Sequence, residues 1–461
     1  MKISPARAAA YDALCRVERD AAFATEALDA RLEGLQKRAD AALATELTMG
    51  VLRWQRLLDF LLERFTKQRV SSLDAEVRLA LRLAIYQLRF LSRVPASAAV
   101  NDSVELVKRA RKSSAAALVN AVLRRAARDP RTRSPADALL PSELSAAERL
   151  GVLLSHPTWM VERWLARHGE PATRELLEAN NRVPRLTAAV MHVEKVPDLR
   201  AALADAGFKT GPGRWLASAI ELRGLPRGGI ERLRRALEAS RMTLQDEASQ
   251  MIPLLADVRP GDRVLDLCAA PGGKTARLSR HAGQGVVVAS DLHLHRLRQT
   301  RELLVRVGAA NVKLVALDAT HPLPLSARFD RVLVDAPCSG TGTLARNPEI
   351  RWRLNPQDLS ALAEKQKALI RHGLEQLAPC GRLVYSTCSL EPEENQQVVT
   401  AVLAKSCGAQ ILSGQGALAP HLVPGVDAAR FFDSRGFFQS LPGRDSTDGF
   451  FATVMEVAPS R

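Results

Sequence analysis

Two short strings hold residue types suited to covalent chemistry. Asp335-Ala-Pro-Cys-Ser-Gly-Thr-Gly342 follows one apolar run, and Tyr385-Ser-Thr-Cys-Ser-Leu-Glu-Pro392 ends another. Each supplies one cysteine, Cys338 or Cys388, beside hydroxyl residues and an acid. A thiolate is a strong nucleophile that can add to a substrate and later leave it. The six cysteines (Cys15, Cys268, Cys338, Cys380, Cys388 and Cys407) form no CxxC pair and have no histidine at ligand spacing. That distribution argues against a disulfide framework and against a zinc site, so no metal is expected.

A third string, Val264-Leu-Asp-Leu-Cys-Ala-Ala-Pro-Gly-Gly-Lys-Thr275, runs from an apolar strand through a glycine turn into a helix. Nucleotide-like ligands meet a doubly wound sheet at such a turn, and Gly272 and Gly273 would let backbone approach one closely. Gly273-Lys274-Thr275 matches the end of a phosphate-binding loop, but the first glycine of that pattern falls on Cys268. Asp291 closes the next strand, where a carboxylate suits two ribose hydroxyls, and Asp318 closes the third, within reach of an adenine amino group. The pattern suggests an adenosine ligand that lacks phosphates.

The elements that must carry these residues alternate between short apolar runs and amphipathic helices, as in a parallel α/β sheet. Strands are predicted at 263–267, 285–291, 312–318, 331–335 and 381–386, with helices at 295–307 and 359–377. A late pair, 436–441 and 449–457, reads as an antiparallel hairpin, and six of the twelve Phe lie between 431 and 451, where sheet packing accounts for most of them.

Upstream, residues 1–128 read as helix throughout. Val77, Leu81, Ala84, Ile85, Leu88 and Leu91 recur at helical spacing. Pro130, Ser134, Pro135 and Pro141 mark a linker. A helix over 160–180, a strand over 186–193 and a helix over 198–206 suggest a small α+β module. The expected architecture is multidomain: a helical bundle (1–130), the α+β module (145–240) and an α/β Rossmann-like domain (241–461).

The chain of 461 residues carries 65 Lys and Arg against 50 Asp and Glu, a net +15 that favours a polyanionic partner such as nucleic acid. Residues 1–150 hold 26 of the basic and 18 of the acidic residues. A dense patch there, Arg124, Arg125, Arg128, Arg131 and Arg133, follows a helix into a loop, and Arg124, Arg125 and Arg128 are expected to contact the phosphates of such a partner. No run approaches the ~18 apolar residues of a membrane helix, and residues 1–20 scatter Arg and Glu where a signal peptide would be apolar. A cytoplasmic protein without a membrane partner is expected.

One reaction that demands an attacking cysteine is methylation of cytosine at carbon 5. That carbon is a poor nucleophile until a thiolate adds at carbon 6 and turns the ring into an enamine. A carboxyl group near ring nitrogen 3, a role suited to Asp335, would assist by protonation. A base must then remove the carbon 5 proton. Position alone fits Cys338 and Cys388 to the attack almost equally.

The strings at 268–275 and 335–342, with Ser-Thr-Cys-Ser-Leu-Glu-Pro-Glu-Glu-Asn at 386–395, resemble the signature motifs of the Nop/Sun family of RNA cytosine-5 methyltransferases. Val94-Pro-Ala-Ser-Ala-Ala-Val-Asn-Asp-Ser-Val-Glu-Leu-Val-Lys108 and Leu118-Val-Asn-Ala-Val-Leu-Arg124 are similar to the helical RNA-binding domain of the antitermination factor NusB. A NusB-like domain ahead of this catalytic domain is the arrangement of the bacterial Sun-type enzymes, which methylate 16S ribosomal RNA. His156-Pro-Thr-Trp159, Glu178-Ala-Asn-Asn181 and Gln245-Asp-Glu-Ala-Ser249 also look like that subfamily.

The resemblance implies a class I methyltransferase domain in which Cys268, Ala269, Ala270, Pro271, Gly272, Gly273 and Lys274, with Asp291, Asp318 and Asp335, bind S-adenosyl-L-methionine. It also implies that Cys388 attacks while Cys338 assists product release. The target base must be unpaired or extruded for a thiol to reach it, so naked or partly assembled small-subunit RNA is the expected substrate, and a monomer is expected. One departure is Ala345, which stands in Leu344-Ala-Arg-Asn-Pro348 where many relatives carry a second Arg. A substrate contact is in question there.

Overall fold

The computed structural model describes residues 3–224, 229–405 and 408–457; Cys407 lies outside them. The chain divides into two compact units: residues 1–182 with 344–353, and residues 183–343 with 354–461.

The first unit is helical. Its helices Pro5–Asp20, Ala24–Leu32, Arg38–Thr66, Ala75–Phe90, Ala96–Arg109 and Ala116–Arg128 are followed by Ala146–Leu153 and Thr158–Asn180. The apolar stripe read from the sequence is the stripe that packs: Val77, Leu81, Ala84, Ile85 and Leu88 are all buried. The helix expected over 160–180 contains a break. Gly169 has φ 73° and Pro171 follows within the same helix, so the regular ladder is interrupted where the periodicity reads straight through.

Into this unit returns the short segment 344–353. Arg351 is fully buried and donates to the carbonyls of Ser155 (3.0 Å), Asn180 (3.1 Å) and Leu344 (3.3 Å) and to Asn181 Oδ1 (2.9 Å). His156 Nε2 lies 3.3 Å from Asn180 Nδ2, and Asn181 Nδ2 donates to the Leu154 carbonyl at 2.6 Å. The string Glu178-Ala-Asn-Asn181, with Ser155 and Leu344, therefore builds a socket for one guanidinium, and His156 braces it through Asn180. Ala345 takes part through its backbone, accepting from Arg53 Nη2 at 3.0 Å.

The second unit contains two sheets. The smaller is antiparallel, in the order β2 (Thr210–Pro212), β3 (Ala219–Leu222), β1 (Leu186–Ala189), β4 (Thr243–Leu244). The larger comprises β5 (Val264–Asp266), β6 (Val287–Asp291), β7 (Val312–Ala316), β8 (Phe329–Asp335), β9 (Leu377–Thr387), β10 (Ala409–Leu412), β11 (Phe438–Ser440) and β12 (Phe450–Val457). Its order is β10-β12-β9-β8-β5-β6-β7, with β11 on β12. Strands β5 to β9 are mutually parallel, whereas β12 runs antiparallel to β9, β10 and β11.

Because β5 pairs with both β6 and β8, the strand order reverses there, and the crevice beyond its carboxyl end is where a doubly wound sheet receives its ligand. The late hairpin is present as β11 and β12, and Phe431, Phe437, Phe438, Phe450 and Phe451 are buried in the sheet cores. Several strand boundaries differ from expectation: β1 stops at Ala189 rather than at 193, and β6 and β8 begin at Val287 and Phe329 rather than at 285 and 331. β7 ends at Ala316, so Asp318 lies two residues beyond it, and β9 begins four residues earlier than its apolar run suggests.

Candidate active site

Every strand end that carries a chemical group sits on the carboxyl edge of the large sheet. β5 closes with Asp266, which is buried and accepts from Thr275 Oγ1 at 2.7 Å, while its Oδ1 has no partner. Burial pushes this carboxyl up to about 7, and the nearby Asp335 adds to the rise. The chain then turns through Cys268 to Gly272 and enters the helix Gly273–Ala282. Gly272 has φ 102°, and a Cβ there would stand 2.9 Å from Thr300 Cγ2, so both backbone and space require glycine.

A cavity of about 150 Å3 opens over this turn, walled by Asp266, Cys268, Ala269, Ala270, Pro271, Gly273, Lys274 and Asp335. Gln245, Ser249, Thr243 and Leu303 complete it. Gln245 and Ser249 come from the string Gln245-Asp-Glu-Ala-Ser249, whose chemistry the sequence leaves unread. Asp291 and Asp318 stand off the cavity wall. Asp291 is nonetheless tied to the glycine turn, accepting from the Ala270 amide (3.3 Å) and from the His293 amide (3.1 Å). Asp318 is exposed and accepts from its own turn, at Thr320 N (2.9 Å) and Thr320 Oγ1 (2.6 Å), bonds that hold its carboxyl below the usual range.

At the end of β8, Asp335 is held from two sides. Lys274 Nζ donates to its Oδ2 at 2.6 Å and Ser386 Oγ donates to its Oδ1 at 2.7 Å. Three of the predicted strings thus converge on one carboxylate, with Lys274 from the glycine turn, Asp335 from β8 and Ser386 from β9.

The two cysteines also converge. Cys338 Sγ lies 3.3 Å from Cys388 Sγ, both as free thiols. The contact with Cys388, together with burial, drives the Cys338 thiol well above its ordinary range. Their loops are stitched by backbone, since the Gly342 amide donates to the Cys388 carbonyl at 2.9 Å and the Gly449 amide to the Gly342 carbonyl at 2.8 Å. A Cβ on Gly342 would sit 2.1 Å from the Gly449 carbonyl, so only glycine fits this crossing. Two thiols at this distance cannot both ionise at ordinary cost. The arrangement therefore suits one thiolate beside one thiol.

The arginines predicted to meet RNA lie in the helical unit on Ala116–Arg128, and Arg124, Arg125 and Arg128 are exposed. Arg124 Nε donates to Asn120 Oδ1 at 3.0 Å, and Arg125 Nη1 reaches the Phe65 carbonyl at 3.3 Å. The patch is smaller than the string of arginines suggests. Arg131 is paired with Asp129, and Arg133 is turned to the Leu88 carbonyl. No group of acids, cysteines and histidines among the described residues could hold a metal ion. Nor is any helix among them long and apolar enough to cross a membrane.

Comparison with known proteins agrees with this layout. The family model for the 16S rRNA methyltransferase RsmB/F matches residues 253–456, the NusB family model matches 4–128, and an RsmF/B-like ferredoxin-like domain matches 156–225. The chain is 33% identical to a probable ribosomal RNA small subunit methyltransferase B of Synechocystis, over 86% of this chain and 89% of that one. It is 30% identical to the probable counterpart in Bacillus subtilis, over 99% of both. Among solved structures, that of PH0851 shares the fold, with a TM-score of 0.81 and 23% identity over 99% of each chain. With these relatives spanning most of its length, the chain belongs to the RsmB/F family of small-subunit ribosomal RNA methyltransferases, enzymes that draw their methyl group from S-adenosyl-L-methionine.

Proposed function

We propose that the protein methylates carbon 5 of a cytosine in 16S ribosomal RNA through a covalent adduct with Cys388. The observation that carries this reading is the 3.3 Å approach of Cys388 to Cys338 beside the Lys274–Asp335 pair. Methyl transfer to an oxygen or an exocyclic nitrogen needs no thiol, let alone two. Both the order of roles and the choice of RNA rest on the family resemblance of the Thr-Cys and Pro-Cys strings.

The cavity residues fit the methyl donor. The positive φ of Gly272 leaves the turn open to it, and the unpartnered Oδ1 of Asp266 offers a buried acceptor. Residues 268–274 with Asp291, Asp318 and Asp335 would hold the donor, which supplies an electrophilic methyl group on a sulfonium. The protein's own work is acid–base and nucleophilic. The Cys388 thiolate bonds to carbon 6 of the ring while Asp335 serves the proton at ring nitrogen 3, which makes carbon 5 electron-rich. Once carbon 5 carries the methyl group, its proton passes to a base, the role of the Cys338 thiolate. Ring nitrogen 3 gives its proton back to Asp335, and the bond between sulfur and carbon 6 breaks to return the Cys388 thiolate. Cys338 assists that release.

The target base must be unpaired or extruded for a thiol to reach carbon 6, which favours naked or partly assembled small-subunit RNA as substrate. We assign docking to residues 1–130, with Arg124, Arg125 and Arg128 on the phosphates, and catalysis to 241–461, with 145–240 as the intervening module.

The test uses undermethylated small-subunit RNA. Cys388→Ala should form no covalent RNA adduct, whereas Cys338→Ala should accumulate one that resists denaturing electrophoresis. An adduct that disappears only with Cys338→Ala would reverse the roles. A labelled product without 5-methylcytosine would reject the reaction.

A further inference from the structure

Glu394 lies outside every role assigned so far, yet it joins the two cysteine loops. It follows β9 by seven residues and is fully buried. Its Oε1 accepts from the Ser339 amide (2.8 Å) and from Gln366 Nε2 (3.0 Å). Its Oε2 accepts from Ser339 Oγ (2.5 Å) and from Ser389 Oγ (2.5 Å). Ser339 directly follows Cys338, and Ser389 directly follows Cys388. One carboxylate therefore holds the residue next to each reacting sulfur, and the two hydroxyls are themselves 3.0 Å apart.

The rest of the network makes this clamp stiff. Gln366 Nε2 also donates to the Pro337 carbonyl at 3.0 Å, on the other side of Cys338. Ser389 Oγ accepts from the Glu391 amide at 3.0 Å, and Tyr385 Oη donates to the carbonyl of Glu394 itself at 2.6 Å. Ser339, Gln366, Ser389 and Tyr385 are all buried, so no water competes for these bonds. The backbone bond from Gly342 to the Cys388 carbonyl joins the same loops, but three residues farther from Cys338 than Ser339 is. Glu394 is the one side chain among the described bonds that reaches the residue following each of the two cysteines.

We propose that Glu394 is a positioning residue that sets the separation of the Cys338 and Cys388 sulfurs, and so couples nucleophilic attack to release. It bonds to neither sulfur, though its charge adds to the rise of the Cys338 thiol. The proposal rests on the two-cysteine reading above in its account of what the separation is for.

Steady-state methyl transfer to undermethylated small-subunit RNA tests it with the full-length protein. Displacing a reacting group by about 1 Å can cost on the order of a hundredfold in rate. Glu394→Ala should therefore lower kcat at least about tenfold. The KM for RNA and the Kd for S-adenosyl-L-methionine should stay within about twofold, because neither binding surface is altered. Glu394→Gln, which keeps the chain length and one acceptor, should recover part of kcat. Ser339→Ala and Ser389→Ala should each cost roughly fivefold, the worth of one hydrogen bond, and should add little to Glu394→Ala. If Glu394→Ala does not fold, the two serine variants carry the test alone.

A kcat within twofold of the parent for Glu394→Ala, or for both serine variants, would overturn the proposal. A loss shared equally by kcat and donor binding marks simple unfolding; in Glu394→Ala it leaves the test to the serine variants, and in both serine variants it would overturn the proposal as well. Adduct trapping by Cys338→Ala in the same assay reports on the two-cysteine reading independently. A Cys338→Ala variant that traps no adduct while Glu394→Ala still loses kcat would reject that reading and keep the clamp.

Discussion

Two buried charges of opposite sign organise the two units, and they differ in what they hold. In the helical unit Arg351 gathers backbone carbonyls and one amide oxygen from loops at 155, 180–181 and 344. In the sheet unit Glu394 gathers an amide, two hydroxyls and a side-chain amide from loops at 339, 366 and 389. Both charges are fully buried and are held by dipoles drawn from distant parts of the chain, although Arg351 Nε has no partner. Arg351 has no reacting group beside it, so its work ends with the fold. Glu394 is one residue removed from a reacting sulfur on each side, so the same kind of network governs a rate.

That contrast can be broken by experiment. The largest effect on stability should come from Arg351→Ala, which leaves several buried acceptors unpaired and should cost about 3 kcal/mol or more. Burial already lowers this guanidinium to about 9, so the folded state retains it at the expense of solvation. Urea melting checks the expectation, and an unchanged midpoint would erase the distinction between the two clamps. Glu394→Ala should lose turnover at temperatures where it remains folded.

A more modest effect concerns the surface. Replacing Arg124, Arg125 and Arg128 together with Ala should weaken RNA binding and reduce the slope of log affinity against log salt by about 1 to 2.5. The upper end is reached only if all three meet phosphates. The existing bonds of Arg124 and Arg125 to Asn120 and Phe65 argue for less. A slope identical to that of the parent would remove the patch from the RNA surface.

The smallest expected effect is on acid stability. Burial, aided by Arg277, lowers His281 to about 4 from an ordinary 6.5. The unfolded chain then binds the proton more readily than the folded one, so the stability associated with this histidine is complete above about 6.5 and falls as pH drops toward 4. His281→Gln should flatten that fall, and a melting profile with the same pH dependence as the parent would exclude it.

Much of this was legible in the residues alone. Periodicities of two and 3.6 are local, so the apolar stripe at 77–88 and the parallel strands could be read directly. The glycine turn was equally plain, because a strand, a φ-permissive residue and a helix follow one another in the chain. The three long strings also marked the chemistry, since residue types with spacing survive as a pattern without coordinates.

What the sequence left open depends on separation along the chain. β3, β4 and β10 are too short or too mixed to show a period and exist because of their partners. The break at Gly169 passes unnoticed because its flanks keep helical spacing. The return of 344–353 into the helical unit rests on bonds between residues some 170 to 300 positions apart. The same holds at the centre of the site. The string at 386–395 contains Glu394 and Cys388 in plain view, but Ser339 and Gln366 lie 55 and 28 residues away from Glu394. Residue type and local spacing determined that this protein carries two cysteines at a ligand-binding sheet edge. Only the folded chain, by closing loops 50 residues apart, decided that those sulfurs meet at 3.3 Å.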